Sequence, residues 1–265
     1  MKVYITTCCQ KSEQKYGSTL IFKTIRVGFP TADITVYDTS TVQEARLEIA
    51  RLAEKQDCKY VGLGFRTPLD AFIKAFVRGE YGTTILLDSD LCFWQSVEGW
   101  GFGDYLLAGR FIPEYQDEFT GCLILARLHT SFIWIHDVKL LRNKIEENSR
   151  KFLGFDPYIN FTYKDANSDN WVFLDCGASL FSAFESEVFS FGEKELNSYD
   201  HLFCGSYADE VFPRLSVNAR KIFQRHHRWA KNDYTKLKGI WKEQDKYFKR
   251  RVETTMKAKE ETEKE

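Results

Sequence analysis

Thr83, Thr84, Ile85, Leu86 and Leu87 form an unbroken run of β-branched and aliphatic residues, and two aspartates, Asp88 and Asp90, follow it with one serine between them. A short apolar run of this kind reads as a strand buried on both faces, the sort found at the centre of a parallel α/β sheet. Asp88 and Asp90 then fall at its carboxyl end, where open α/β sheets bind their ligands. Two carboxylates so close repel each other unless a cation lies between them, and hard divalent cations prefer oxygen ligands. The stretch therefore predicts a metal ion holding a diphosphate.

The flanking sequence predicts the rest of that sheet. Lys2–Thr7 reads as a first strand, with Thr6 at its carboxyl end, and a polar loop from Cys9 to Gly17 follows. Ser18 is placed to cap a helix carrying Leu20, Ile21, Ile25 and Val27, which Gly28 and Pro30 end. Ile34–Tyr37 is a second strand ending at Asp38, and a helix from Val42 to Gln56 comes next. Lys59–Gly64 is a third strand. Pro68 and Asp70 suit the first turn of a helix running to Val77, which Gly79 closes. Strands and helices alternate, which predicts parallel strands joined by right-handed crossovers.

Beyond Asp90 the pattern changes. Glycines 99, 101 and 103 alternate with Trp100 and Phe102, and Tyr105–Gly109 reads as a strand. Leu123–Ala126 and Phe132–Ile135 read as two strands separated by Arg127-Leu128-His129, and Asp137 caps a helix from Val138 to about Asn148. Residues 149–171 read as a loop on the acceptor side. Trp171–Leu174 is a strand leading to Asp175, with a helix from Ala178 to about Phe189. The segment Tyr199–Tyr207 contains His201, and Asp209-Glu210 is an acidic pair.

The Asp88-Ser89-Asp90 motif after its strand, together with Gly64-Phe65-Arg66, Leu69–Ala75 and Gly79-Glu80-Tyr81, resembles family 2 nucleotide-sugar glycosyltransferases of the GT-A fold. The resemblance implies a mixed, mostly parallel, Rossmann-like α/β sheet flanked by helices. Residues 1–217 would form the catalytic domain, with 1–91 the nucleotide-binding half and 92–217 the acceptor half; 218–265 would be a charged helical extension. It implies Asp90 as the direct metal ligand, with Asp88 a second ligand or a contact to the ribose or a metal-bound water. His201, in a His-x-x-x-Gly-Ser setting, would be the third ligand, and an imidazole there favours Mn²⁺ over Mg²⁺.

The donor, a UDP-sugar, would lie against Thr6, Asp38 and Arg66. Asp38 has two readings, contact with the uracil ring or a turn and helix-cap carboxylate. Arg225, His226 or Arg228, in Gln224-Arg-His-His-Arg-Trp229, can reach the diphosphate. That segment is similar to the Gln-x-x-Arg-Trp of processive synthases but has one residue too many. For the catalytic base of an inverting enzyme Asp175 and Asp209 are the candidates. His129 reads as structural or catalytic.

Composition limits the alternatives. The chain has 265 residues, a net charge of −1 and 43% hydrophobic residues, the profile of an ordinary globular protein. Seven cysteines without a Cys-x-x-Cys pair suggest reduced thiols and a cytoplasmic protein. Met1 runs directly into the first strand, so no signal peptide is expected, and no apolar run approaches the roughly 20 residues of a membrane span. Between Asn218 and Arg251, 12 Lys and Arg face 3 acids, which admits nucleic acid or an anionic membrane surface as a partner. The acceptor is expected to be an envelope or other glycan, or, as the alternative, a modified DNA base of the phage type. A sugar-nucleotide nucleotidyltransferase is a further reading, weakened because Thr6-Thr7-Cys8-Cys9-Gln10 is no glycine-rich phosphate loop. A non-enzymatic nucleic-acid or partner-binding protein leaves the aspartate pair unexplained.

Overall fold

The computed structural model describes residues 1–9, 15–64, 82–116, 122–147, 161–164, 171–174, 181, 184–201, 246, 249–258 and 260–261. Its strands, in chain order, are β1 (Lys2–Thr7), β2 (Asp33–Asp38), β3 (Lys59–Gly62), β4 (Thr84–Asp88), β5 (Leu91–Phe93), β6 (Leu107–Ile112), β7 (Tyr115–Gln116), β8 (Leu123–Ile124), β9 (Arg127–Ile135), β10 (Phe161–Lys164), β11 (Trp171–Leu174), β12 (Val188–Ser190) and β13 (Tyr199–His201). Seven of them make one sheet in the order β12-β6-β9-β4-β1-β2-β3. All its pairs are parallel except those of β9, which runs against both β4 and β6. This is the mixed, mostly parallel sheet expected of the GT-A fold. A four-stranded sheet, β10-β11-β8-β7, and the pair β13-β5 complete the strands among the described residues.

The sheet is covered on both faces, and the period-2 alternation of its strands shows which residue goes where. Val3, Ile5, Ile34, Val36, Ile85, Leu87, Phe132 and Trp134 enter one core, which also holds Ala45, Ile49 and Ala53 of the helix Gln43–Lys55. Tyr4, Leu86, Ile133 and Ile135 point to the other face, against Val138, Leu141 and Ile145 of the helix Val138–Glu147. Each fully buried aliphatic side chain stabilises the fold by roughly 1.5–3 kcal/mol relative to exposure. The central strand β4 contributes Ile85, Leu86 and Leu87 to these cores, so its position, and that of the aspartates at its end, is held from both sides.

Several sequence expectations need correction. The helix expected from Ser18 is instead three short pieces, Lys15–Thr19, a 3-10 turn Leu20–Lys23, and Ile25–Gly28. Ser18 donates to the Cys8 carbonyl rather than capping a helix start (2.6 Å). At the break, Thr24 uses its hydroxyl to accept the Phe93 N–H at 2.8 Å, which ties this segment to β5. Arg127-Leu128-His129 does not separate two strands; it opens the nine-residue β9. Arg127 is 1% exposed, its guanidinium directed to the Leu125 carbonyl and lying 6.0 Å from the Tyr115 ring centroid. Part of the expected loop 149–171 is strand β10, antiparallel to β11. The end of the helix expected from Ala178 is the edge strand β12, paired with β6. The expected helix over 68–77, with its Gly79 cap, lies outside the described residues.

Two local features carry testable consequences. A Cβ on Gly28 would meet Phe93 Cγ at 2.5 Å, so this glycine lets the short helix press on β5. Gly28→Ala is expected to destabilise the protein by about 1–3 kcal/mol through overpacking, read as a lower Tm in a thermal scan. Asp137 caps its helix as expected: Oδ1 accepts the Leu140 N–H (2.8 Å) and Oδ2 the Gly82 N–H (3.4 Å). Burial opposes the charged carboxyl, but these backbone donors outweigh it and hold its pKa below the ordinary 3.8. The folded-state pKa is the lower one, so the stability from the cap is complete above about pH 4 and is lost as pH falls through the folded value. Asp137→Ala is expected to cost about 1 kcal/mol at pH 7 and to flatten the loss of stability below pH 4 in urea unfolding curves.

Candidate metal centre

β4 ends at Asp88, residues 89 and 90 make a tight turn, and β5 starts at Leu91. The turn is pinned from outside, because the Ser89 carbonyl accepts the Ile21 N–H at 2.9 Å. β5 then pairs antiparallel with β13, in the register Leu91↔His201, Cys92↔Asp200 and Phe93↔Tyr199. A ladder of three pairs thus brings His201 back beside the aspartates from 111 residues downstream of Asp90.

Asp88, Asp90 and His201 each present one ligand atom, and these atoms lie within 4.8 Å of one another. His201 Nε2 is 3.0 Å from Asp90 Oδ1. Asp90 Oδ1 is buried and receives no aligned hydrogen bond among the described residues, a costly state for a carboxylate oxygen unless something else satisfies it. Two ligands at about 2.1 Å from an octahedral cation stand roughly 3 Å apart at neighbouring corners, which is the separation seen between Nε2 and Oδ1. The donor set of two carboxylates and an imidazole suits a divalent cation such as Mn²⁺ or Mg²⁺. These residues therefore fit a metal.

Neighbouring side chains fix the ligands. Thr6, opposite Asp88 in the β1–β4 register, holds its hydroxyl 3.2 Å from Asp88 Oδ1 and 3.3 Å from the Leu87 carbonyl. The His129 ring meets the His201 ring edge to face at 4.8 Å. Its Nδ1 accepts the Ser131 N–H at 3.1 Å and faces the Ser131 hydroxyl at 2.8 Å. Burial first, and then electrostatic interaction with His201 and with the guanidinium groups of Arg110 and Arg127, hold the His129 pKa well below its ordinary value. A neutral His129 beside His201 adds no competing charge to the site.

Asp38 stands at the end of β2, two strands from β4, and is fully buried. Oδ1 accepts the Ser40 N–H at 2.9 Å, and Oδ2 accepts the Tyr60 hydroxyl at 2.8 Å. The turn role expected of it is thus present. Gly62 lies opposite Asp38 in the β2–β3 register, and a Cβ there would stand 3.3 Å from the Tyr60 hydroxyl. The glycine leaves the space Tyr60 uses to reach Asp38, and burial together with that carboxylate pushes the tyrosine pKa up to about 12. Sequence reading missed Tyr60; its signal was a tyrosine two positions before a strand-end glycine, facing an aspartate across a parallel ladder. Alongside, the Cys9 N–H donates to Ser40 Oγ (2.8 Å) and the Cys9 carbonyl accepts from Thr41 and Val42. The loop after β1 is therefore knit to the loop after β2.

Of the expected site residues, the structure brings together Asp88, Asp90 and His201, with Thr6 in contact and Asp38 on a neighbouring strand end. Arg66, Asp175, Asp209, Arg225 and Arg228 lie outside the described residues. Among the described residues no helix is long and apolar enough to cross a membrane.

No family model and no curated protein sequence matches the chain. Solved structures to which the chain is similar include the bifunctional glycosyltransferase WbbM (13% identity, TM-score 0.45, covering 85% of this chain and 44% of WbbM). They also include the glycosyltransferase GlyE of Streptococcus pneumoniae TIGR4 (11%, 0.43, 92% of this chain and 63% of GlyE). A third is a nucleoside-diphosphate-sugar pyrophosphorylase from Vibrio cholerae RC9 (9%, 0.40, 75% of this chain and 94% of that protein). The chain spans less than two thirds of either transferase.

Proposed function

We propose that the chain is a metal-dependent glycosyltransferase that moves a sugar from a nucleotide diphosphate donor, a UDP-sugar, to a hydroxyl acceptor with inversion. The observation that carries this reading is the convergence of Asp88, Asp90 and His201 at the carboxyl end of β4, with Nε2 and Oδ1 3.0 Å apart. Asp90 and His201 hold the cation directly, Asp88 completes the set, and the imidazole tilts the choice toward Mn²⁺ over Mg²⁺. When bound, the cation supplies positive charge to the diphosphate as the bond to the sugar breaks.

The remaining roles fall to the chain's own groups. Thr6 orients Asp88, and the knitted loops around Cys9, Ser40 and Asp38 offer a wall for the nucleoside. Arg66, Arg225 and Arg228 bind phosphate oxygens, and Asp175, with Asp209 as its rival, takes the acceptor proton. A positioned carboxylate of this kind contributes about 10²–10⁴ in rate. Residues 1–217 form the catalytic domain in this proposal, and 218–265 the charged extension. The acceptor is a glycan, with a modified DNA base as the alternative that the basic segment permits, and the location is cytoplasmic. A nucleotidyltransferase is disfavoured because Thr6-Thr7-Cys8-Cys9-Gln10 is no glycine-rich phosphate loop, and Cys9 is tied to Ser40, Thr41 and Val42.

The test is a screen of nucleotide sugars for binding and slow hydrolysis, with and without Mn²⁺. Metal-dependent binding of a UDP-sugar is the expected result; no nucleotide sugar bound under any condition, with Asp90→Asn indistinguishable from wild type, would sink the proposal.

A further inference from the structure

Residues 249–258 are helical, and one of them reaches the ladder that carries His201. The Arg251 guanidinium lies 4.4 Å from the Trp94 ring centroid, over its face, and 3.5 Å from Asp200 Oδ2. The same oxygen accepts the Trp94 indole N–H at 2.8 Å. Asp200 precedes the proposed ligand His201 in β13, and Trp94 follows the last residue of β5. The Asp200 side chain is only 3% exposed, so its charge requires partners. The ladder ends on the same contacts: the Trp94 N–H donates to the Ser198 carbonyl at 2.8 Å, and Gln95 donates to the Ser198 hydroxyl.

We infer that Arg251 is a positioning residue: it clamps Trp94 and Asp200 together and so holds β13, with His201, in register against β5. A three-residue ladder is too short to fix a metal ligand through backbone bonds alone. A planar guanidinium can stack on an indole and pair with a carboxylate at once, which a lysine ammonium does less well. The C-terminal segment then belongs to the site, and at least one of its basic residues serves an internal contact rather than an outside anion. The clamp itself stands on these contacts; only its effect on metal affinity rests on the function proposed above.

The test uses the full-length protein and Arg251→Met, Arg251→Lys and Trp94→Leu. In the metal-free protein, amide hydrogen exchange at residues 199–201 and 91–93 is expected to quicken about tenfold in Arg251→Met and in Trp94→Leu. The double variant is expected to exchange no faster than either single one, because both remove one clamp. Arg251→Lys is expected to restore part of the protection. The Trp94 indole N–H resonance is expected to shift in Arg251→Met, a signature that general loosening of the C-terminal helix does not produce. Mn²⁺ affinity is expected to fall about tenfold, the lower end for changes outside the direct ligands. Unchanged exchange at 199–201 in both single variants, or additive effects in the double variant, overturns the clamp. Wild-type protein that binds no Mn²⁺ but shows the exchange pattern overturns the metal reading and upholds the clamp.

Discussion

Asp90→Asn is expected to lower sugar transfer by roughly 10³-fold, because it removes a direct charge on a cation whose stabilisation of the leaving group is worth several kcal/mol. Mn²⁺ affinity is expected to fall by at least about a hundredfold, since loss of an outer-shell partner alone costs 10–100-fold. Tm of the metal-free protein is expected not to fall. Asp90 Oδ1 takes no aligned hydrogen bond from the described residues, and the amide relieves repulsion with the nearby Asp88, which offsets the lost attraction to His201 Nε2 3.0 Å away. Titration calorimetry with Mn²⁺, a transfer assay and a thermal scan measure the three effects separately. A Tm that drops with activity would assign Asp90 to folding instead of chemistry.

The largest stability effect is expected at Phe132. It is fully buried in β9, and its ring contacts those of Phe29, Phe93, Trp100, Phe191 and Tyr199. Trp100 stacks on it with 5° between planes, while Phe93 and Phe191 meet it edge to face. Truncation leaves a cavity bounded by other rigid rings that cannot collapse into it. Phe132→Ala is therefore expected to cost about 3–5 kcal/mol, a large share of the 5–15 kcal/mol that typically separates native from unfolded states. Urea unfolding followed by far-UV circular dichroism checks it. Phe132→Leu is expected to lose much less, since it refills most of the space. Tyr199 of β13 packs on Phe132 at 5.2 Å, so the alanine variant is also expected to weaken metal binding in whatever fraction stays folded.

The parts of this fold that were legible in the sequence are those whose neighbours are local. β1, β2 and β4 read correctly because their apolar runs are short and bounded, and the helices at 43–55 and 138–147 because their apolar residues recur at helical spacing. Asp88 and Asp90 were legible because they end a buried strand within flanking segments that resemble a known family; an acidic pair alone is a weak signal, common at strand ends. β9 was not, because Arg127 and His129 interrupt its apolar pattern, and their polarity is accommodated by contacts that only the fold makes, Arg127 over the Tyr115 ring and His129 on Ser131 and against the His201 ring. β12 was hidden because an edge strand of three residues is defined by its partner β6 and not by its own composition. The β5–β13 ladder, which brings His201 to the aspartate pair, pairs residues more than 100 apart, and no local pattern announces it. His201 came into view through family resemblance alone, and Trp94, Asp200 and Arg251 not at all, because each is unremarkable until the other two are beside it.

In the proposed site Asp88, Asp90 and His201 together hold one divalent cation. Electron paramagnetic resonance of Mn²⁺ added to the metal-free protein, with pulsed detection of nitrogen couplings, is the decisive experiment. One bound Mn²⁺ per chain coupled to a single imidazole nitrogen is expected, the coupling being lost in His201→Asn while Asp90→Asn abolishes tight binding. Mn²⁺ that stays free in solution, or binds with no nitrogen coupling in the wild-type protein, would contradict it.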